Sequence, residues 1–320
     1  VNIGIKGTYT IHGRYCEPKV VVAGNKDILQ LLVHGIARDH HYWNAYDYDG
    51  APIGGTNFSW VARSSLHGYP TFAIDRLGHG LSSSPNPNTT VQLPAQVEVT
   101  HQLIKSISSG SLGRKFSEIL FVGHSFGSVL GQLFTAKYPG DIKRIILTGW
   151  ASVNLLQLGT LAGQTGAARD VDSRRFENLP YGYLLSTNAT NDGLLTNYRF
   201  GTSSASRFFN DILPSAAFAN RQTSTTGELY TVAFAITQAV NFRGKVFVAT
   251  GQNDAYWCGT PAAADCGQGA SSAIAAGKNV YPNAMSYDYI NPAQTGHELL
   301  SHYTQNQTFD AVFQWLSRTV

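Results

Sequence analysis

Charge is scarce in this sequence. Only 13% of its 320 residues are Asp, Glu, Lys or Arg, and the net charge is +3 with no long Lys/Arg block. A nucleic-acid-binding role needs a basic face to neutralise phosphates, so that class is set aside. No stretch of about 18 apolar residues occurs, which leaves no candidate for a membrane-spanning helix. Cysteine is limited to Cys16, Cys258 and Cys266, with no Cys-x-x-Cys pair and no Cys/His zinc spacing. Repeats of the length that builds solenoids are missing. Low charge alone would suit a disordered chain, but 43% apolar and 12% aromatic residues supply a full core. The length fits one large α/β domain with an insertion better than two independent domains.

Cys258 and Cys266 flank a loop rich in Gly, Pro and Ala. Short local bridges suit secreted chains, so a disulfide clamping this loop is expected; two unrelated thiols are the alternative. The chain begins with Val1 and shows no signal peptide, as a trimmed mature protein would. Few lysines, one methionine and many small polar residues also predict secretion. The sequons at Asn57, Asn88, Asn188 and Asn306 add little, because so much Asn, Ser and Thr produces most of them by chance.

Short continuous apolar runs mark buried parallel strands, with functional loops after their C-terminal ends. Such runs lie at Ile28–Val33, Thr71–Ile74, Glu118–Val122, Ile142–Leu147 and Lys245–Thr250, with a further strand over Met285–Ile290. The first 25 residues alternate around Gly7 and Gly13 as an antiparallel hairpin would. Between the runs, Val97, Thr100, Ile104 and Ile107 share one helical face, as do Phe309, Val312, Phe313 and Leu316. This alternation predicts an α/β fold with a mostly parallel central sheet flanked by helices. Residues 151–244 break the rhythm, taking about 90 residues where a crossover needs far fewer. They read as an inserted, mainly helical cap with no convincing strand, between core segments 1–150 and 245–320.

The run at Glu118–Val122 enters Gly123-His124-Ser125-Phe126-Gly127, and a buried helical pattern follows. A tight strand–turn–helix thrusts one hydroxyl above the sheet, and the helix N-terminus favours developing negative charge. Ser125 is therefore the candidate nucleophile. It needs a base, and the base needs an orienting carboxylate. Asp254 follows the strand at Lys245–Thr250, and His297 follows the one at Met285–Ile290, next to Gly296. Asp75 and His302 are the rivals for these two roles. An oxyanion needs two backbone donors, for which Phe126 and Ile36 are chosen. His34 is read as a structural residue of the latter loop. Asp39-His40-His41 is not read as a metal site, since adjacent histidines in an unsupported loop seldom are.

Taken together, these motifs resemble the α/β-hydrolase superfamily, in its capped esterase, lipase and lactonase type. The resemblance rests on His34-Gly35, on Asp75-Arg76-Leu77-Gly78-His79-Gly80-Leu81-Ser82, on the Ser125 elbow, on Gly251-Gln252-Asn253-Asp254 and on Gly296-His297. It covers residues 28–150 and 245–318, and the texture is similar to secreted fungal members. It implies a Ser–His–Asp hydrolase of esters or lactones with neither metal nor organic cofactor. A lyase, C–C hydrolase or acyltransferase using the same triad, or a receptor retaining the pocket, are the alternatives. Oligomeric state is left open. Trp150, Tyr181, Tyr183, Tyr256 and Trp257 are candidate substrate contacts, with Tyr198, Phe200, Phe208 and Phe209 further along. Segment 151–244 carries seven Arg, six acidic residues and no Lys. It thus offers no one-signed funnel, and a small to medium uncharged substrate in a largely apolar pocket is expected.

Overall fold

The apolar runs form the middle of a seven-stranded sheet in a computed structural model that describes residues 4–152, 164–187, 208–232, 237–259 and 264–319. The strands are β1 (Gly13–Cys16), β2 (Ile28–Val33), β3 (Thr71–Ile74), β4 (Glu118–His124), β5 (Arg144–Thr148), β9 (Lys245–Ala249) and β10 (Ser286–Ile290). Their order is β1-β3-β2-β4-β5-β9-β10, parallel throughout except for β1 against β3. Alternate residues of each central strand enter opposite cores. Leu31, Val33, Phe121, Ile145, Leu147 and Val248 pack on one face. Leu32, Leu120, Val122, Ile146 and Phe247 pack on the other. A sheet apolar on both sides must be covered on both. Helices α2 (Leu93–Ser109) and α3 (Phe126–Lys137) cover the first face; α1 (Trp60–Leu66) and α10 (Gln305–Thr319) cover the second. The expected helical faces are the buried ones: Val97, Thr100, Ile104 and Ile107 on α2, and Phe309, Val312, Phe313 and Leu316 on α10.

Two expectations change. The N-terminal hairpin is not seen among the described residues. Instead β1 crosses to the sheet edge and pairs with β3, Gly13 opposite Ile74. Period-two alternation shows that a strand is half-buried but not which strand it joins. The segment between β5 and β9 contains strands as well as helices. Its described part holds β6 (Thr165–Ala167), β7 (Tyr183–Ser186) and β8 (Ser224–Thr225) in a small antiparallel sheet. Beside it lie helices α4 (Ala168–Val171), α5 (Ser173–Phe176), α6 (Ile212–Ala219) and α7 (Thr226–Val232). Strands of two to four residues are too short for periodicity to reveal. No helix of the described residues is long and apolar enough to cross a membrane.

Candidate active site

Strand β4 ends at His124, and α3 begins two residues later at Phe126, so Ser125 carries the whole turn. Its backbone is forced to φ 54° and ψ −117°, a conformation side chains avoid. Close packing on both sides holds it there. A Cβ at Gly123 would meet the Gly127 carbonyl oxygen at 2.6 Å, and one at Gly127 would meet the Val33 oxygen of β2 at 2.1 Å. The Ser125 N–H donates to Thr148 O at 2.9 Å, fixing the elbow to β5. Phe126 is the first helical residue, so the helix offers its N–H no partner.

Two later loops bring their side chains to this hydroxyl. His297 Nε2 lies 2.7 Å from Ser125 Oγ, and His297 Nδ1 lies 2.7 Å from Asp254 Oδ2. His297 and Asp254 are both buried. The second Asp254 oxygen accepts the Tyr256 N–H at 3.0 Å, at the start of α8 (Ala255–Cys258). The rivals stand elsewhere. His302 Nε2 accepts the Gly296 N–H at 3.0 Å, holding the loop that carries His297. Asp75 takes the Nδ1 groups of His12 and His40 and the N–H groups of His40 and Leu81. Asp39, His40 and His41 do bring possible ligand atoms close together. However, Asp39 holds His41, and Asp75 holds His40.

The Cys258–Cys266 bridge joins the end of α8 to Cys266, whose N–H donates to Gln252 O. It therefore ties down the loop that carries Asp254. Reduction or a double Cys→Ala change should cost about 2.5 kcal/mol by loop entropy. Urea unfolding with and without reductant reads this, and an unchanged midpoint would rule it out.

The candidate substrate contacts divide. Trp150 is core, its Nε1–H on Gln132 at 3.2 Å, and Trp257 is core, its Nε1–H on Gly149 O at 2.6 Å. Tyr183 is buried with Leu77, Val91 and Phe176, its hydroxyl on Pro85 O. Tyr181 is 64% exposed under the Arg169 guanidinium. Aromatic character marks core as readily as it marks a pocket wall. Tyr256 has its ring 4.5 Å from that of His297. Phe209 stacks edge-on against His302. Tyr198 and Phe200 lie outside the described residues.

Sequence reading passes over a set of buried charges around the site. Glu298, next to His297, faces Arg38 at 3.4 Å and His124 at 3.8 Å and accepts the Tyr46 hydroxyl at 3.0 Å. Burial would raise its carboxyl, but the Arg38 guanidinium and His124 bring it down to about 2. Glu228 on α7 accepts from Arg76, His79 and Gln96. Burial opposes its ionisation too, and His79 with Arg76 more than offsets this, holding it below the usual range. Asp75 is likewise held low, since His40 and the Leu81 N–H outweigh its burial. Burial first, then Arg76, lowers His34 and His79.

These depressed carboxyls set an acid limit. Their stabilisation is complete above about pH 4.3, the unfolded value, and is lost as pH falls toward the folded one. Each proton taken up on unfolding steepens the loss by about 1.4 kcal/mol per pH unit. Urea midpoints should thus hold from pH 7 to 5 and drop sharply by pH 3. A midpoint unchanged at pH 3 would contradict this.

A model of the alpha/beta hydrolase family matches residues 30–309. Among curated proteins, the 1-acylglycerol-3-phosphate O-acyltransferase ABHD5 of Sus scrofa is 31% identical over 78 residues, 24% of this chain and 21% of that protein. The match thus spans about a fifth of that relative's length. A serine hydrolase-like protein of Homo sapiens is 31% identical over 75 residues, 23% of this chain and 34% of that protein. Among solved structures, the Paleococcus ferrophilus monoacylglycerol lipase superposes with TM-score 0.59 at 13% identity, covering 97% of this chain and 100% of that one. A thermophilic esterase from Thermogutta terrifontis gives TM-score 0.55 at 15% identity, with 97% and 93% covered. At such identities the likeness is one of fold.

Proposed function

Since the chain belongs to the alpha/beta hydrolase family, we propose that it hydrolyses a carboxylic ester or lactone through an acyl-enzyme on Ser125. One observation carries this reading: the unbroken chain of 2.7 Å contacts from Ser125 Oγ through His297 to Asp254, at a strained elbow. The Ser125 proton passes to His297 Nε2 as Oγ attacks the carbonyl carbon. Asp254 fixes the ring with its proton on Nδ1 and stabilises the imidazolium. The N–H groups of Phe126 and Ile36 hold the oxyanion, and His297 then protonates the leaving alkoxide. Water, activated by the same imidazole, releases the acid. Acyl transfer to an alcohol would use the same groups, and product analysis separates it from hydrolysis.

The substrate is taken to be uncharged and of small to medium size. The buried charges named above already have opposite partners, so these residues would offer a charged ester no unspent countercharge. The test is a panel of neutral and anionic p-nitrophenyl esters sharing one acyl group, before and after labelling with a fluorophosphonate. Turnover of the neutral members, abolished by one label on Ser125, is expected. No turnover, or a kcat/KM preference for the anionic members that fades with salt, would overturn the reading. Secretion and a cap over 151–244 belong to the same proposal.

A further inference from the structure

We propose that Arg76 is a positioning residue for the oxyanion hole, held in place by Glu228 from the segment between β5 and β9. The proposal rests on the reading of Ser125 as nucleophile and of Phe126 and Ile36 as oxyanion donors. Arg76 is buried, and its guanidinium divides its donors between two tasks. One edge grips two consecutive carbonyls of the loop after β2: Nε donates to His34 O at 3.1 Å and Nη2 to Gly35 O at 3.2 Å. On the other side Nη1 donates to Glu228 Oε1 at 2.5 Å and to Gln96 Oε1 at 2.6 Å. A planar fork suits two adjacent acceptors in a way that a single ammonium does not.

The consequence follows from peptide geometry. In a trans peptide the C=O and the next N–H point in opposite directions. Gly35 O is drawn to Arg76 and also to His34 Nδ1 at 2.7 Å, so the Ile36 N–H is turned away from both. Gly35 itself backs onto the nucleophile: a Cβ there would lie 3.0 Å from Ser125 Cβ. His34 completes the clamp, since its Nε2 accepts the Arg76 backbone N–H at 3.0 Å. The same guanidinium lies 4.4 Å from the centre of the Phe126 ring, whose residue supplies the other donor. One side chain thus touches both halves of the hole.

Glu228 fixes Arg76 from the far side and comes from the inserted segment. Its Oε2 accepts the Thr225 N–H at 3.0 Å, while His79 and Gln96 reach Oε1 at 2.8 Å. Residues 225–228 therefore form a plug behind the oxyanion loop.

The test is Arg76→Lys, which keeps the charge beside Glu228 but cannot hold two carbonyls. If that variant does not fold, the double variant Arg76→Gln/Glu228→Gln, which removes both charges together, replaces it. Two readouts are taken. Amide hydrogen exchange of the peptide containing residues 34–37 should speed up about tenfold or more while α10 is unchanged. Losing one oxyanion donor costs about 10²–10³ in kcat, so a misaimed one should cost about 10–100-fold with KM within about threefold. Esters should suffer more than their thionoester counterparts, because sulfur is a weak acceptor that profits little from the hole. The ester-to-thionoester rate ratio should therefore shrink by about tenfold. Unchanged exchange overturns the proposal, and so does equal slowing of both substrates, which would mark Arg76 as merely structural. A native protein that turns over no ester defeats the functional reading instead, and the exchange measurement alone then decides whether Arg76 grips the loop.

Discussion

Ser125→Ala should lower turnover of any ester substrate by about 10⁴-fold or more, with the melting temperature within a few degrees of the parent. The expectation is this large because the acyl-enzyme cannot form without Oγ, and the waiting imidazole of His297 has nothing to activate but bulk water. Folding should survive because the elbow is held by backbone: the Ser125 N–H on Thr148 O, and the close passage of Gly123 and Gly127 against their neighbours. Alanine bears the φ of 54° no worse than serine does. Steady-state kinetics on a p-nitrophenyl ester, with circular dichroism on the same sample, decides it. A folded, active Ser125→Ala protein would remove the acyl-enzyme from consideration.

Asp254→Asn should cost about 10³–10⁴ in kcat. The amide can present its NH2 to Nδ1, which stabilises the tautomer with its proton on Nε2, and that ring cannot take the Ser125 proton. It also withdraws the negative charge that the imidazolium needs. Asp75→Asn is the paired control. Asp75 receives donors from His12, His40 and Leu81 and does not bond His297. Its substitution should appear as a lowered unfolding midpoint with kcat reduced far less. The reverse pattern, with Asp75→Asn crippling and Asp254→Asn mild, would transfer the orienting role to Asp75.

The parts that could be read from the sequence are those governed by local rules. A strand buried on both faces is apolar at nearly every position, so Leu31–Val33 and Ile119–Val122 could be read without any partner. The elbow is legible because one turn needs Gly123 and Gly127 on either side of Ser125. What escaped depends on pairing across the chain. Arg76 and Glu228 are 152 positions apart, and Tyr46 and Glu298 are 252 apart. A lone Glu in a polar segment looks like surface, since charged side chains are seldom buried without a partner. Glu228 has such partners, and only the fold reveals them. The bonds of Trp150 and Trp257 were hidden for a related reason: composition cannot distinguish an aromatic whose N–H is satisfied inside the core from one that awaits a ligand.

The register between β5 and β9 has a consequence for how such a chain can be altered. Arg144 faces Lys245 and Thr148 faces Ala249, so the intervening chain need only return along one strand, a span of about 15 Å. The sheet therefore asks almost nothing of the residues between. Loop-closure entropy grows only logarithmically, adding about 0.6 kcal/mol for each doubling of length. Whole segments could be exchanged there, by recombination or in the laboratory, without disturbing the register that aligns Ser125 with Asp254. The exceptions are the short stretch around Glu228 and the buried core residues Trp150, Val232, Ala239 and Phe242, which any transplanted segment would have to keep or bring with it.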